Sequence, residues 1–209
     1  EFFGLRLAVT PDVLVPRPET EGLVEWALEL LPGAPGPGVV DLGTGSGAIA
    51  LAVAHGHPAA RLSATDLSPA ALVVAQANAQ RLGLVVEFAA GPWWQALSGD
   101  ARFDLVLSNP PYIAGDDPHL PSLRHEPMLA LSPGGDGLGA LREIIAGAPA
   151  HLASGGWLLL EHGWDQADAV ASLLRSAGFD QVATRFDLEG RPRCTGARSP
   201  APASAAGKA

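Results

Sequence analysis

Apolar positions along this chain follow two alternating rhythms. Short consecutive runs of Val, Leu and Ala give way to stretches where apolar residues recur every three or four positions. Leu5–Val9 reads as a short strand, and Val13–Val15 as its partner after the Thr10-Pro11-Asp12 turn, together a β-hairpin. Pro16-Arg17-Pro18 breaks regular structure, and Leu23, Val24, Ala27, Leu28 and Leu31 then fall at helical spacing between Glu19 and Leu31. Pro32–Gly38 is a Gly/Pro linker. Val39–Leu42 reads as a buried strand running into Gly43-Thr44-Gly45-Ser46-Gly47 and a helix near Ala48–His55.

The alternation continues. Arg61–Thr65 is a second strand ending at Asp66; Ser68 then offers a helix N-cap and Pro69 a first helical position where its missing N–H costs nothing. Leu72, Ala75, Ala79 and Leu82 line one face of that helix. Strands follow at Val85–Ala89 and Phe103–Leu107, then a helix from Leu138 to His151 and a strand Trp157–Leu160. A helix near Ala167–Ala177 and a strand near Val182–Phe186 complete the pattern. Strand alternating with helix predicts an α/β fold with a doubly wound, mostly parallel sheet. Three segments result: residues 1–33 as hairpin and helix, residues 34–198 as the main domain, and residues 199–209 as a disordered tail of Ala, Pro, Ser and Gly.

Composition narrows the class. With 209 residues, 47% apolar and 17% charged, the chain can bury one sizeable core. Its 13 Lys and Arg against 22 Asp and Glu leave a net charge of −9, which opposes nucleic-acid binding through the whole surface. The single cysteine, Cys194, permits neither an internal disulfide nor a multi-thiolate metal site. Without a long apolar span or a secretory leader, a soluble cytoplasmic protein is expected.

Two motifs carry chemistry. In Asp41-Leu42-Gly43-Thr44-Gly45-Ser46-Gly47 a strand meets a helix through glycines, which let the backbone turn sharply and approach a ligand closely. The spacing is Gly-x-Gly-x-Gly rather than the dinucleotide Gly-x-Gly-x-x-Gly, and no Gly-Lys-Ser/Thr follows, so the P-loop is excluded. Asp66 ends the next strand, where a carboxylate accepts ribose hydroxyls, so loop and acid together point to an adenosine-containing cofactor. Asn109-Pro110-Pro111-Tyr112 then ends the fourth strand, at the sheet edge where ligands bind. Two prolines stiffen the backbone and remove two N–H donors. The Asn109 side-chain oxygen and the Pro110 carbonyl become rigid acceptors able to hold a planar NH2 group by both hydrogens. Tyr112, the only tyrosine, can stack on a planar amide or base.

This order of motifs resembles class I S-adenosylmethionine-dependent amino-methyltransferases with a Rossmann-like fold. More closely it is similar to the protein-(glutamine-N5) methyltransferases that modify peptide-chain release factors. The resemblance runs from Phe2 to about Arg198 and includes Phe2-Phe3-Gly4-Leu5, Val15-Pro16-Arg17-Pro18-Glu19-Thr20-Glu21, His125-Glu126-Pro127 and Leu160-Glu161-His162-Gly163. It implies that Gly43, Thr44, Gly45, Ser46 and Gly47 wrap the methionine end of S-adenosyl-L-methionine and that Asp66 holds its ribose. Trp93 would flank the adenine, with Trp94 beside it, although Pro92 stands where the family usually has an acid. Asn109 and Pro110 would orient the substrate glutamine amide next to the cofactor, with Pro111 and Tyr112 packing on it. Arg17–Glu21 would line the cofactor pocket or its lid. Members of that family carry a helical domain ahead of the Phe-Gly-Leu segment, so 209 residues would describe a monomeric catalytic domain without that arm.

Two alternatives remain at this level. The same acceptor pair suits an exocyclic amine of adenine or guanine, against which stand the net charge and the lack of a basic target-recognition region. A non-catalytic scaffold is the other, against which stand Asp66 and Asn109. The six histidines are scattered, and no metal site is expected; His162, beside Glu161 at the active edge, is the strongest candidate among them for acid–base work. Cys194 reads as a structural thiol, and Trp26 and Trp157 as core.

Overall fold

The computed structural model describes residues 1–31 and 36–200. Positions 32–35 of the expected linker and 201–209 of the expected tail lie outside the described residues. Among the described residues seven strands form one sheet: β1 Gly38–Leu42, β2 Arg61–Asp66, β3 Glu87–Ala90, β4 Phe103–Ser108, β5 Leu152–Glu161, β6 Asp180–Phe186 and β7 Pro192–Arg198. Their order is β3-β2-β1-β4-β5-β7-β6, parallel through β5, with β7 antiparallel to both its neighbours. The chain winds outward from β1 to β3, then restarts at β4 on the other side. The carboxyl ends of β1 and β4 therefore diverge and leave a crevice.

The helices are α1 Glu21–Leu30, α2 Ala48–Gly56, α3 Pro69–Leu82, the single turn α4 Met128–Leu131, α5 Gly139–Gly147 and α6 Ala167–Ser176. Side chains alternate across the strands, so the central strands β1, β4 and β5 each serve two cores. Val39, Leu105, Leu107 and Leu159 pack with Leu23, Trp26 and Leu51 of α1 and α2. Val40, Val106, Leu158 and Leu160 point the other way, onto Leu141, Ile144, Val170 and Leu174 of α5 and α6. Ser68 caps α3 as expected, accepting from Ala71 N at 3.2 Å, and Gly83 ends it in the left-handed region.

The predicted N-terminal hairpin is absent. Phe2 and Leu5 form an isolated bridge, and Ala8 pairs with a side chain instead: Asn78 Oδ1 accepts from Ala8 N at 2.8 Å while its Nδ2 donates to Ala8 O at 2.9 Å. The buried Asn78 amide thus takes the place of a partner strand, and Val13 packs on Ala71 and Val74 of α3. Phe2, Leu5, Leu23 and Trp26 of this first segment belong to the core. Strand β3 starts at Glu87, leaving Val85 exposed. The helix predicted to His151 ends at Gly147, followed by a 3-10 turn through Ala150. Ser199, placed in the expected tail, still donates its N–H to Gly156 O at 2.7 Å.

Candidate active site

The crevice is built first by the loop after β1. Gly43 N and Thr44 N both donate to Thr65 O of β2 at 2.9 Å, folding the loop across the end of the neighbouring strand. Gly43, Gly45 and Gly47 have φ of +75°, +54° and +85°, which side-chain-bearing residues adopt at a cost. Gly43 has a second reason to be glycine: a Cβ there would stand 3.1 Å from the Trp93 ring. Thr44 Oγ1 donates to Asp41 Oδ2 at 2.6 Å, and Asn78 Nδ2 donates to Ser46 O at 2.9 Å, so the loop is braced from beneath. Asp41 is fully buried, its Oδ1 takes no hydrogen bond among the described residues, and burial pushes its carboxyl up to about 7.

Asp66 closes the loop from the side. Its Oδ2 accepts from Gly45 N and its Oδ1 from Ser68 N, both at 2.8 Å, while burial raises its pKa. Each carboxylate oxygen keeps a free lone pair. Gly43–Ser46, Asp66, Trp93 and Asn109 line a cavity of about 390 Å³. Gly47 stands just behind it, packed against Leu51 and Ala75. Pro92 also lines the cavity, and as an imino acid it brings neither charge nor N–H. Trp94 faces away: its indole N–H donates to Ile144 O at 3.1 Å and its ring stacks on His151 at 4.8 Å. Gly147 makes room for it, and the expectation that Trp94 joins Trp93 at the cofactor is therefore corrected.

Asn109 leaves the end of β4, where Ser108 Oγ ties that strand to Leu42 O of β1 at 2.6 Å. It borders both the large cavity and a second one of about 260 Å³. Its Nδ2 donates to Thr20 Oγ1 at 3.2 Å, and among the described residues its Oδ1 and the Pro110 carbonyl receive no hydrogen bond. Pro110 is buried, Pro111 lines the large cavity and Tyr112 the second. Tyr112 is largely buried, with its phenol 3.4 Å from Glu161 Oε1 and its pKa raised by burial and that neighbouring carboxylate. Its backbone carbonyl accepts from Gln166 Nε2 at 3.0 Å.

The remaining quoted segments meet around the same crevice. Arg17 and Glu126 form an ion pair, and Glu126 also accepts from Val15 N at 3.1 Å, so the loop before α1 is fastened to the loop before α4. Glu21 accepts from Phe3 N at 2.8 Å. Glu161 ends β5 at 1% exposure and burial pushes its carboxyl up to about 7. His162 points elsewhere: its Nδ1 donates to Gly163 O at 2.8 Å, its Nε2 meets Thr195 Oγ1 at 2.7 Å, and burial lowers its pKa. Both ring nitrogens are thus engaged, and His162 ties the end of β5 to β7 through Thr195. Cys194 is buried with its thiol pKa raised, hence unreactive. Among the described residues no His, Cys, Asp and Glu cluster could hold a metal.

Thr20, Asn78 and Arg193 were not singled out by sequence reasoning. Asn78 carried a signal, a polar residue in phase with the apolar face of α3; Thr20 and Arg193 carried none beyond their segments.

Comparison with known proteins decides the family. The methyltransferase small domain family matches residues 25–175. Release factor glutamine methyltransferase from Bordetella pertussis is 56% identical over 198 residues, covering 94% of this chain and 73% of the relative. That from Xylella fastidiosa strain Temecula1 is 57% identical over 202 residues, covering 95% and 73%. This chain belongs to the release factor glutamine methyltransferase family. A solved relative, the release-factor-specific protein-(glutamine-N5) methyltransferase of Alicyclobacillus acidocaldarius, is 34% identical over 93% of this chain and 99% of its own, with a TM-score of 0.56. Enzymes of the release factor glutamine methyltransferase family use S-adenosylmethionine, and the residues present suit it. The glycine loop holds its backbone in left-handed conformations at the cavity edge, the half-buried Asp66 offers carboxylate oxygens able to accept further hydrogen bonds, and Trp93 supplies a flat apolar wall.

Proposed function

We propose that the chain transfers a methyl group from S-adenosylmethionine to the side-chain amide nitrogen of a glutamine in a peptide-chain release factor, acting as a monomer in the cytoplasm. The observation that carries this reading is Asn109 at the junction of the two cavities, with Oδ1 and the adjacent Pro110 carbonyl unengaged. Gly43–Gly47 take the methionine end of the cofactor, Asp66 its ribose diol and Trp93 its adenine. Residues 34–198 form the catalytic unit, and the segment before them walls the crevice through Arg17 and Thr20.

An amide nitrogen is a weak nucleophile because its lone pair is delocalised into the carbonyl. The cofactor supplies an electrophilic methyl on a sulfonium. The protein's task is alignment, which in favourable models contributes up to ~7–11 kcal/mol. Two acceptors on the NH2 hydrogens hold the amide in one plane and leave the nitrogen lone pair perpendicular to it, the direction from which the methyl is approached. The same acceptors stabilise positive charge developing on nitrogen. With the cofactor held by the glycine loop and Asp66, its methyl would pass from sulfur to the amide nitrogen that Asn109 and Pro110 hold, the nitrogen giving up one N–H proton to water.

An exocyclic amine of a base would fit the same acceptors. Incubation with labelled cofactor and either a bacterial release factor or duplex DNA, followed by peptide mass mapping, separates the two. Label on one glutamine is expected; label on DNA alone overturns the proposal.

A further inference from the structure

Leu14, Arg17, Asn109 and Ala130 line both the large cavity and the second one, and so form the partition between them. The Asn109 side of that partition is well anchored. Ile113 donates its N–H to Leu131 O at 3.0 Å and its carbonyl accepts from Ser132 Oγ at 2.6 Å, which ties α4 and Ala130 to the segment leaving β4. The opposite side is not. Val13 packs on α3, and Arg17 O accepts from Thr20 N at 3.1 Å in a local turn. Between them, among the described residues, Leu14, Val15 and Pro16 make a single hydrogen bond, from Val15 N to Glu126 Oε2 at 3.1 Å.

Glu126 also holds the Arg17 guanidinium with its other oxygen, Oε1, and its own N–H donates to Leu123 O at 2.9 Å. One carboxylate therefore fastens both a backbone N–H and a side chain of the free wall to the loop ahead of α4. The residue type suits the task, since two acceptor oxygens on one rigid group can serve two donors at once. The ion pair is partly in water, with the Arg17 side chain 39% and the Glu126 side chain 14% exposed, so it adds little to the stability of the whole fold. Its effect is local. It sets how far Leu14 and Arg17 stand from Asn109 and Ala130, and hence the gap through which an amide side chain passes from one cavity to the other.

We infer that Glu126 is a positioning residue for methyl transfer: by clasping Val15 and Arg17 it holds the partition narrow, so that a glutamine side chain entering from the second cavity meets Asn109 in one pose. The inference rests on the reading of Asn109 as the amide clamp. Alignment of this kind is spent in the reacting complex, because a wall that drifts lets the amide plane turn away from the donor. Glu126 itself lines neither cavity, and so acts through the residues it holds. The inference gives a purpose to the glutamate of His125-Glu126-Pro127 and to the arginine of Arg17-Pro18-Glu19-Thr20-Glu21, distant in sequence and joined only in the fold.

The test uses the full chain with a purified bacterial release factor. Glu126→Ala removes both bonds of the clasp and is expected to lower kcat by about tenfold, with KM for the release factor changed little. Cofactor Kd by calorimetry stays within about threefold. Glu126→Gln still accepts from Val15 N–H without the charge, and recovers kcat to within about threefold of the wild type. Combining Glu126→Ala with Arg17→Gln lowers kcat by no more than about twofold beyond Glu126→Ala alone, because the arginine acts through the glutamate. Wild-type kcat in Glu126→Ala overturns the proposal, as do fully additive losses in the double variant, which would give Arg17 an action of its own. Should Glu126→Ala not fold, Glu126→Asp decides: its carboxylate is one methylene short of its two partners and kcat falls, whereas wild-type kcat overturns the proposal. Asn109→Ala distinguishes the levels. Full activity there sinks the clamp reading itself, while an inactive Asn109→Ala beside a fully active Glu126→Ala sinks only the positioning role.

Discussion

Asp66→Asn separates the cofactor role of Asp66 from its role as a brace. The substitution preserves shape and removes one charge. In the native loop Oδ2 and Oδ1 each accept a backbone N–H at 2.8 Å, from Gly45 and Ser68. An amide must turn its NH2 toward one of them, so one bond is lost and two donors face each other, a cost of about 1–3 kcal/mol. Removing the charge offsets part of this, since burial had raised the carboxyl pKa and so penalised the ionised form. The net loss of fold stability is about 1 kcal/mol, or roughly 2–4 °C in Tm for a chain of this size. Cofactor binding suffers more. Two charge-assisted bonds to a ribose diol, at about 1.5–3 kcal/mol each, become at best one neutral bond, so about 3 kcal/mol and more than about a hundredfold in Kd are lost. Calorimetric titration of S-adenosylmethionine into both proteins, with ligand-free melting curves alongside, reads the two effects separately. A Kd within about threefold of wild type, with Tm lowered, would show Asp66 to be a loop brace alone.

Two further substitutions probe the loop. Gly43→Ala forces a left-handed φ of +75° on alanine and sets a Cβ 3.1 Å from the Trp93 ring. Weaker cofactor affinity by about tenfold and altered tryptophan fluorescence are expected, from a backbone penalty of about 1–2 kcal/mol; unchanged affinity would show that the ring does not wall the site. Asp41→Asn tests the buried acid behind the loop. Its carboxyl is pushed up to about 7 from an ordinary value of 3.8, so between those values the folded state binds more protons than the unfolded one, and stability falls as pH rises through that window. The asparagine variant should therefore be the more stable at pH 8, by about 2–4 kcal/mol in urea denaturation, with the advantage more than halved by pH 5. An advantage independent of pH would refute the assignment of that pKa to Asp41.

The parallel part of the sheet was legible because buried strands and amphipathic helices differ in period; Asp66 and Asn109 stand at strand ends and Ser68 at the helix N-cap, as that pattern predicts. Strand β7 was not legible. Pro192, Gly196 and two arginines look like a turn, yet Gly196 is glycine because Leu159 and Trp26 occupy the space its Cβ would fill. The hairpin failed for a related reason: Asn78, far along the chain, supplies the hydrogen bonds a partner strand would have made to Ala8. Motifs located the site through backbone demands, glycine for the loop and proline after Asn109. The contacts that orient the motif residues, from Thr20, Asn78 and Glu161, depend on tertiary packing, which no local pattern encodes.

Asn109, on the function proposed above, presents the glutamine amide to the methyl donor without itself binding that donor tightly. The most direct test of that role is single-turnover methyl transfer to a release factor by Asn109→Ala, with cofactor Kd measured on the same preparation. A loss of transfer by at least about two orders of magnitude at nearly unchanged Kd is expected, the mark of an interaction made only in the transition state. Transfer at the wild-type rate, or a loss explained wholly by weaker cofactor binding, would contradict it.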